Sequence, residues 1–124
     1  MKTKVSTDEA VKADGILSQG VVSGNTIYVS GQIHNRLDGT MVEGSVKEKV
    51  EQIFSHISEI LKAADATLDD IVKVVIYVND MAQMPELNEV YPTYFTGVLP
   101  VREAVCVAAL PLGATIEISV IAAK

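Results

Sequence analysis

The chain has 124 residues, of which 48% are hydrophobic and 21% charged, with a formal net charge of −6. These values suit one globular domain over residues 1–124 and argue against a nucleic-acid partner, because phosphate binding needs clustered Lys and Arg. No apolar run is long enough to span a bilayer, and no signal peptide is evident. The lone cysteine, Cys106, excludes an internal disulfide. We expect a cytoplasmic protein, or a mitochondrial one in a eukaryote.

The first third of the chain predicts an antiparallel β-hairpin. Its strands are residues 17–22 and 26–30, and Gly24-Asn25 supplies the positive φ of a tight turn. Residues 2–6 are a candidate edge strand. Residues 35–44 form a polar loop.

A strong helix signal begins at Ser45, which forms a capping-box pattern with Glu48. Apolar side chains then recur at helical spacing in Val46, Val50, Ile53, Phe54, Ile57, Ile60, Leu61 and Ala64. Residues 71–78 are β-branched and apolar on nearly both faces. That pattern is typical of a central strand.

The remainder of the sequence predicts one more helix and two more strands. Pro85 suits the first helical turn and Gly97 the end of the helix. Its packing face consists of Leu87, Val90, Tyr91, Tyr94 and Phe95. The strands are residues 101–109 and 115–122. The order β-β-β-α-β-α-β-β predicts an α+β fold, with both helices on one face of a mixed sheet.

The apolar face of the sheet opposite the helices must also be buried against something. We expect Arg102, Ala104, Cys106 and Ala108 to alternate onto it. All but Arg102 are small, so a second chain can approach closely there. The sequence therefore predicts a homo-oligomer.

Arg102 is the most informative single residue. It places a permanently charged, planar guanidinium in an apolar strand with no acid at strand spacing on its face. Because an unpaired charge is costly to remove from water, we predict that Arg102 binds a ligand carboxylate in fork geometry. The alternative is a structural arginine at a subunit interface.

The other chemically versatile side chains carry weaker signals. His34 and His56 have no cysteine or acid at ligand spacing, so no metal site is predicted. His56 lies near the apolar face of the first helix, where a structural role is expected, whereas His34 directly follows Gln32-Ile33 and a ligand contact for it has no support. Cys106 is predicted to be an inert buried thiol.

Several short segments, in their order and spacing, resemble the Rid family, also called YjgF, best known for reactive-intermediate imine deaminases. These segments are Ser30-Gly31-Gln32-Ile33, Asn88 with Tyr91, Pro100-Val101-Arg102, Leu110-Pro111 and Ile116-Glu117-Ile118. The resemblance extends over about residues 15–122 and so covers nearly the whole chain.

The resemblance implies a chorismate-mutase-like α+β fold and a homotrimer around a central β-barrel, with clefts between subunits. It implies hydrolysis of 2-imino acids such as 2-iminobutanoate and 2-iminopropanoate to 2-keto acids and ammonia, without a metal or organic cofactor. Arg102 matches the arginine that forks onto the substrate carboxylate. Ser30 and Gly31 match positions that hold the ligand, and Asn88 is a further predicted binding residue, with a helix-to-loop hydrogen bond as its alternative role.

The chain departs from the family pattern at several positions, among them Ala104 in place of a frequent cysteine, and two departures concern the cleft. Leu17 stands where a tyrosine usually lines the cleft. Ser119 replaces the second of two glutamates, the group thought to handle water, and leaves only Glu117. Ser119 can hydrogen-bond a water but is no base near neutral pH, and Glu117, two residues away on the same face, is a possible substitute. We predict Arg102, Ser119 and Glu117 as catalytic residues, with weakened activity.

Three functions follow from this pattern. The first is a cofactor-free imine/enamine deaminase with interface clefts. The second is non-catalytic binding of small keto acids or other carboxylates in the same cleft, which Leu17 and Ser119 favour. The third, an RNA-directed ribonuclease or translation inhibitor, conflicts with the acidic balance and the dispersed cations.

Overall fold

The computed structural model describes all 124 residues and contains one mixed sheet. Its strands are β1 (Lys2–Val5), β2 (Gly20–Ser23), β3 (Thr26–Ile33), β4 (Ile71–Val78), β5 (Val101–Cys106) and β6 (Ile116–Ala123). They are arranged in the order β1-β2-β3-β6-β4-β5. All neighbouring strands are antiparallel except β4 and β5, which are parallel. The predicted mixed sheet and the hairpin at Gly24 are confirmed.

Two helices cover one face of the sheet, namely α1 (Val46–Ala63) and α2 (Met84–Val90). The capping box at the start of α1 is formed, because Ser45 accepts a hydrogen bond from the backbone N–H of Glu48, whose carboxylate accepts one from the N–H of Ser45. The second helix is shorter than predicted. Two 3-10 turns, Met81–Gln83 and Tyr91–Tyr94, flank it, so the aromatic residues after Val90 pack from a tighter turn.

The hydrophobic core lies between α1, α2 and the helix-facing side of the sheet. Along β6 the core members are Ile116, Ile118, Val120 and Ala122, all at most 2% exposed. The odd-numbered residues between them point to the opposite face, as the period of two in a strand requires. None of the helices combines the length and the apolar character needed to cross a bilayer.

We call the face opposite the helices the open face. It carries Tyr28 of β3, Val75 and Tyr77 of β4, Val101, Glu103 and Val105 of β5, and Glu117, Ser119 and Ile121 of β6. No element of the chain lies over it as α1 and α2 lie over the other face. Val101 is 67% exposed, so the open face presents apolar surface to solvent in the single chain.

The orientation predicted for β5 is wrong. Arg102 is in register with Val74 and Ala104 with Ile76, and both β4 residues are fully buried under the helices. Ala104 accordingly packs against the core. The prediction failed because both faces of this edge strand carry small or apolar residues, so alternation gave no burial signal.

The end of β5 also differs from the prediction. The strand stops at Cys106 rather than at residue 109, and one further hydrogen bond, from Val107 N–H to Val78 O at 2.8 Å, continues it. Cys106 is exposed, not buried as expected, because it lies at the unprotected end of an edge strand.

Candidate functional site

A cleft of about 300 Å³ opens beside the start of β6. Three stretches of chain surround it: the segment before β2, the end of β3 and the turn before β6. Its apolar walls include Val11, Leu17, Ile33 and Leu112, and its charged groups are Lys12 and Glu117. A mostly apolar cleft with few charges has the character of a small-molecule site.

A β-bulge in β3 shapes the floor of the cleft. The register of β3 with β6 shifts between Val29 and Gln32, which leaves Ser30 and Gly31 without ladder partners. The Ser30 hydroxyl donates to the carbonyl of Ser18 at 2.6 Å. The backbone N–H of Ser30 donates to the carbonyl of Gln19 at 2.9 Å. Ser30 therefore ties the wall before β2 to the sheet, and its hydroxyl is already engaged.

Gly31 lies directly against the carboxylate of Glu117. A Cβ at position 31 would collide with that carboxylate, so the close approach requires glycine. Glu117 is half-buried, and burial raises the pKa of its carboxyl group. No side chain or backbone N–H of the chain donates a hydrogen bond to it and no cation pairs with it, so the cleft holds an acid with free acceptor capacity.

Ser119 lies two residues beyond Glu117 on the same face, as predicted. It is opposite Val75 of β4, outside the cleft lining. The structure therefore brings Glu117, but not Ser119, into the cleft.

Arg102 makes two contacts on the helix side of the sheet. Its Nη1 donates to Oδ1 of Asn88 at 2.8 Å, and its guanidinium carbon lies 4.9 Å from the ring centroid of Tyr91. No carboxylate of the chain lies within ion-pair distance of it. Asn88 and Tyr91 therefore orient an exposed guanidinium whose other N–H donors stay available to an anion.

One protomer does not bring Arg102 and Glu117 together. Arg102 is in register with Val74 and Glu117 with Tyr77, and the two side chains point to opposite faces of the sheet. Three residues along the strands and two strands across separate their Cα atoms by about 14 Å. The cleft of a single chain therefore lacks the predicted carboxylate receptor.

Gln19 is a structural residue of the cleft that sequence reasoning missed. It is buried, its Oε1 accepts from the N–H of Thr7 at 2.7 Å, and its Nε2 donates to the carbonyls of Thr7, Ala10 and Val11. These bonds fix the wall that carries Val11. The available signal was a polar amide inside the predicted strand of residues 17–22, which should bury apolar residues.

Both histidines hold loops in place. Nδ1–H of His34 donates to Val42 O and Nε2 accepts from the N–H of Thr115, each at 2.9 Å. This pairing selects the neutral ring, and burial lowers the pKa of His34. His56 donates from Nε2 to Asn35 O at 2.6 Å, which confirms its structural role. No group of three or more His, Cys, Asp or Glu side chains is arranged to hold a metal ion.

Comparison with known proteins gives consistent results. The profile of the family described as Endoribonuclease L-PSP matches residues 7–124. A rat protein named 2-iminobutanoate/2-iminopropanoate deaminase is 44% identical, covering 97% of this chain and 88% of the rat protein. A Yersinia pestis structure described as belonging to the conserved Rid protein family is 36% identical with a TM-score of 0.95, covering 100% of both chains. E. coli TdcF with bound serine is 28% identical with a TM-score of 0.92, covering 98% of each.

Proposed function

The chain belongs to the Endoribonuclease L-PSP family, which includes the YjgF/Rid proteins, and from this premise we propose that it is a cofactor-free 2-imino acid deaminase. The substrate R–C(=NH₂⁺)–COO⁻ and one water give R–CO–COO⁻ and NH₄⁺. Relatives that are 40–44% identical are named 2-iminobutanoate/2-iminopropanoate deaminases, and the serine-bound relative holds a ligand of similar size and charge.

The observation that carries the proposal is the free carboxylate of Glu117 in the cleft. A protonated imine is already electrophilic, so catalysis needs mainly orientation and a positioned water. Glu117 orients that water, accepts its proton during attack on the imine carbon and returns it to the departing ammonia. Burial raises the pKa of Glu117 toward neutrality, which suits an acid-base group that must accept and release a proton.

The second part of the proposal is that Arg102 of the partner subunit completes the cleft. Arg102 and Glu117 lie on opposite faces of one sheet, but a neighbouring protomer can present its guanidinium to the cleft. We propose the homotrimer that the resemblance implies, with the open faces forming a central barrel and three clefts at the interfaces. The exposed apolar residues of the open face support such burial.

The residues have distinct roles in this scheme. The guanidinium of Arg102 forks onto the substrate carboxylate, and Asn88 and Tyr91 orient it. Gly31 lets the Glu117 carboxylate lie close to the β3 bulge, and Ser30 holds the wall. A catalytic part for Ser119 stays a prediction, which the variant Ser119→Ala tests.

The direct test measures ammonia and keto-acid release while a dehydratase generates 2-iminobutanoate from threonine. We expect Glu117→Gln to lower the catalysed rate by about 10²–10⁴-fold. Arg102→Ala raises KM, whereas the matched Arg36→Ala leaves the rate unchanged. Wild-type activity in Glu117→Gln would contradict the assigned role. Binding of 2-ketobutyrate in calorimetry without turnover would identify a binding protein instead.

The shared cleft has its own test. The Arg102→Ala and Glu117→Gln proteins are unfolded together in equal amounts, refolded and assayed at a substrate concentration well below the raised KM, where each variant alone is strongly impaired. If the two residues come from different protomers, about a quarter of the clefts in random trimers regain both, and activity recovers to about that fraction. No recovery, with correctly assembled oligomers, would contradict a site shared between subunits.

A further inference from the structure

We infer that Leu17 and Leu112 form an apolar subsite that selects 2-imino acids with aliphatic side chains longer than that of 2-iminobutanoate. The inference rests on the proposed function and names the substrate class of that cleft. It is carried by the size of the cleft, the exposure of two leucines on its walls and the pairing of its only lysine.

Within one protomer, without the partner subunit, the cleft is larger than the smallest substrates need. Its volume is about 300 Å³. A molecule such as 2-iminobutanoate, with about seven non-hydrogen atoms of about 20 Å³ each when close-packed, fills on the order of half of that space. The remainder is bordered by apolar side chains, so filling it with an aliphatic chain is more favourable in free energy than filling it with water.

Leu112 is exposed to an extent that packing within the protomer does not explain. It is 77% exposed and adopts φ = 57°, in the left-handed region that disfavours residues with a Cβ. An exposed position of this kind suits Gly, Asn or Asp. Leu112 therefore holds an apolar side chain at the cleft wall in a backbone conformation that costs free energy. No burial of the side chain within the protomer offsets that cost.

Leu17 lies on the facing wall, which is rigid. It is 48% exposed, and its N–H donates to Ala13 O at 3.1 Å within a turn. The buried Gln19 and the Ser30–Ser18 hydrogen bond anchor this segment on either side. A side chain held in this way offers a fixed apolar surface, and leucine takes less room than the tyrosine expected at this position.

The charge of Lys12 does not turn the subsite toward acidic substrates. Its Nζ lies 2.6 Å from a carboxylate oxygen of Asp8, four residues earlier in the chain. The ammonium therefore already has a carboxylate partner. The unpaired charge of the cleft is that of Glu117, which repels a second substrate carboxylate.

The test is a chain-length series. An amino-acid oxidase generates the imines of alanine, 2-aminobutyrate, norvaline, norleucine and glutamate, and competition with semicarbazide gives kcat/KM for each. We expect kcat/KM to rise about 10-fold for each methylene added between alanine and norvaline. Leu17→Tyr should flatten this profile by filling the space. Leu112→Asn should flatten it by removing apolar surface, since asparagine tolerates a positive φ.

The matched control is Leu37→Asn, which changes a leucine that is 59% exposed outside the cleft and should keep the wild-type profile. A flat wild-type profile, a preference for the glutamate imine, or profiles unchanged by both cleft variants would overturn the inference. If no imine is hydrolysed, the deaminase proposal fails on its own. Calorimetry with 2-keto acids of the same chain lengths then still decides whether the subsite exists.

Discussion

The two faces of the sheet differ in what a single chain provides for them. On the helix face Ile116, Ile118 and Val120 are buried under α1 and α2. The open face carries Glu117, a half-buried acid without a partner, and exposed apolar side chains such as Val101. The same strand therefore carries fold stability on one side and the candidate chemistry on the other, and a one-residue slip would exchange them.

Arg102 makes this division more informative, because it belongs to the helix face while its proposed ligand binds on the other. It contacts Asn88 and Tyr91 at the sheet edge and pairs with no carboxylate of its own chain. One chain thus holds two half-sites that it cannot join. The difference between the faces teaches that the hydrophobic core forms within one protomer, whereas the site that we propose needs a second copy to bring Arg102 to Glu117.

The largest expected effect separates two adjacent residues of β6. Ile118→Ala removes a fully buried side chain and should lower the free energy of unfolding by about 2–5 kcal/mol. Ser119→Ala changes a hydroxyl without a hydrogen bond in the chain and should change it by about 0.5 kcal/mol or less. Urea unfolding at fixed protein concentration measures both. Equal effects would mean that the open face contributes to stability as much as the helix face.

The second expected effect is on activity. Gly31→Ala places a methyl group against the Glu117 carboxylate and should displace it, which costs on the order of 10²-fold in kcat for a shift of about 1 Å. Because the end of a side chain can move, the fold should survive with a loss of about 1 kcal/mol or less.

The matched control for this variant is Gly97→Ala. An added Cβ there meets no atom within 4 Å, and its backbone has no positive φ. Its kcat and stability should stay close to the wild type. If Gly31→Ala kept full activity, the position of the carboxylate against the bulge would not matter for the reaction.

The third prediction concerns the pH dependence of the free energy of unfolding that His34 contributes. His34 links Val42 to Thr115 through its two ring nitrogens. His34 is neutral in the fold and burial lowers its pKa, whereas in the unfolded chain it titrates near 6.5. Below about pH 6.5 the unfolded chain therefore binds a proton that the folded chain resists. The free energy of unfolding should fall as the pH is lowered from 7 to 5.5, by at most about 1.4 kcal/mol per pH unit.

His34→Gln removes this titration while keeping a group that can donate and accept hydrogen bonds. The variant is expected to be less stable at pH 7 but to depend less on pH in that range. Parallel urea titrations of both proteins isolate the histidine contribution. Identical slopes would show that His34 is protonated in the fold as readily as outside it.

The predictability of this structure follows the strength of the local patterns. The capping box at Ser45 and the apolar period after it predicted α1, and the β-branched run predicted β4, because each signal is repeated over many residues. For β5, by contrast, both faces carry small or apolar side chains, so the alternation predicted the wrong face for Arg102.

The site was predictable only in its residue types. The sequence pointed to Arg102, Gly31 and Glu117 as chemically important. It did not show that a bulge in β3 brings Gly31 against Glu117, because register shifts depend on pairing across the sheet. Nor did it show the four hydrogen bonds of Gln19, which join distant parts of the chain.

The smallest expected effect concerns the stability cost of the acid in the cleft. Burial raises the pKa of Glu117, so its folded pKa lies above its unfolded value. A group of this kind favours the fold below its unfolded pKa and loses that contribution as the pH rises through its folded pKa. At pH 7 the charged carboxylate therefore opposes folding, and Glu117→Gln should be more stable than the wild type by about 0.5–2 kcal/mol.

This difference should vanish once the pH falls well below the unfolded pKa of about 4.3, where the wild-type carboxyl is protonated in both states, and urea titrations at pH 7 and at about pH 3 measure it. The control is Glu103→Gln, also on the open face, whose carboxylate lies 3.3 Å from Lys73. Loss of such an exposed pair should cost about 0.5 kcal/mol or less. If Glu117→Gln were less stable at pH 7, the carboxylate would have a stabilising cation in the assembled protein. Repeating the measurement with Arg102→Ala would then show whether that cation is Arg102, because the acid and the guanidinium would be coupled across the subunit boundary before any substrate binds.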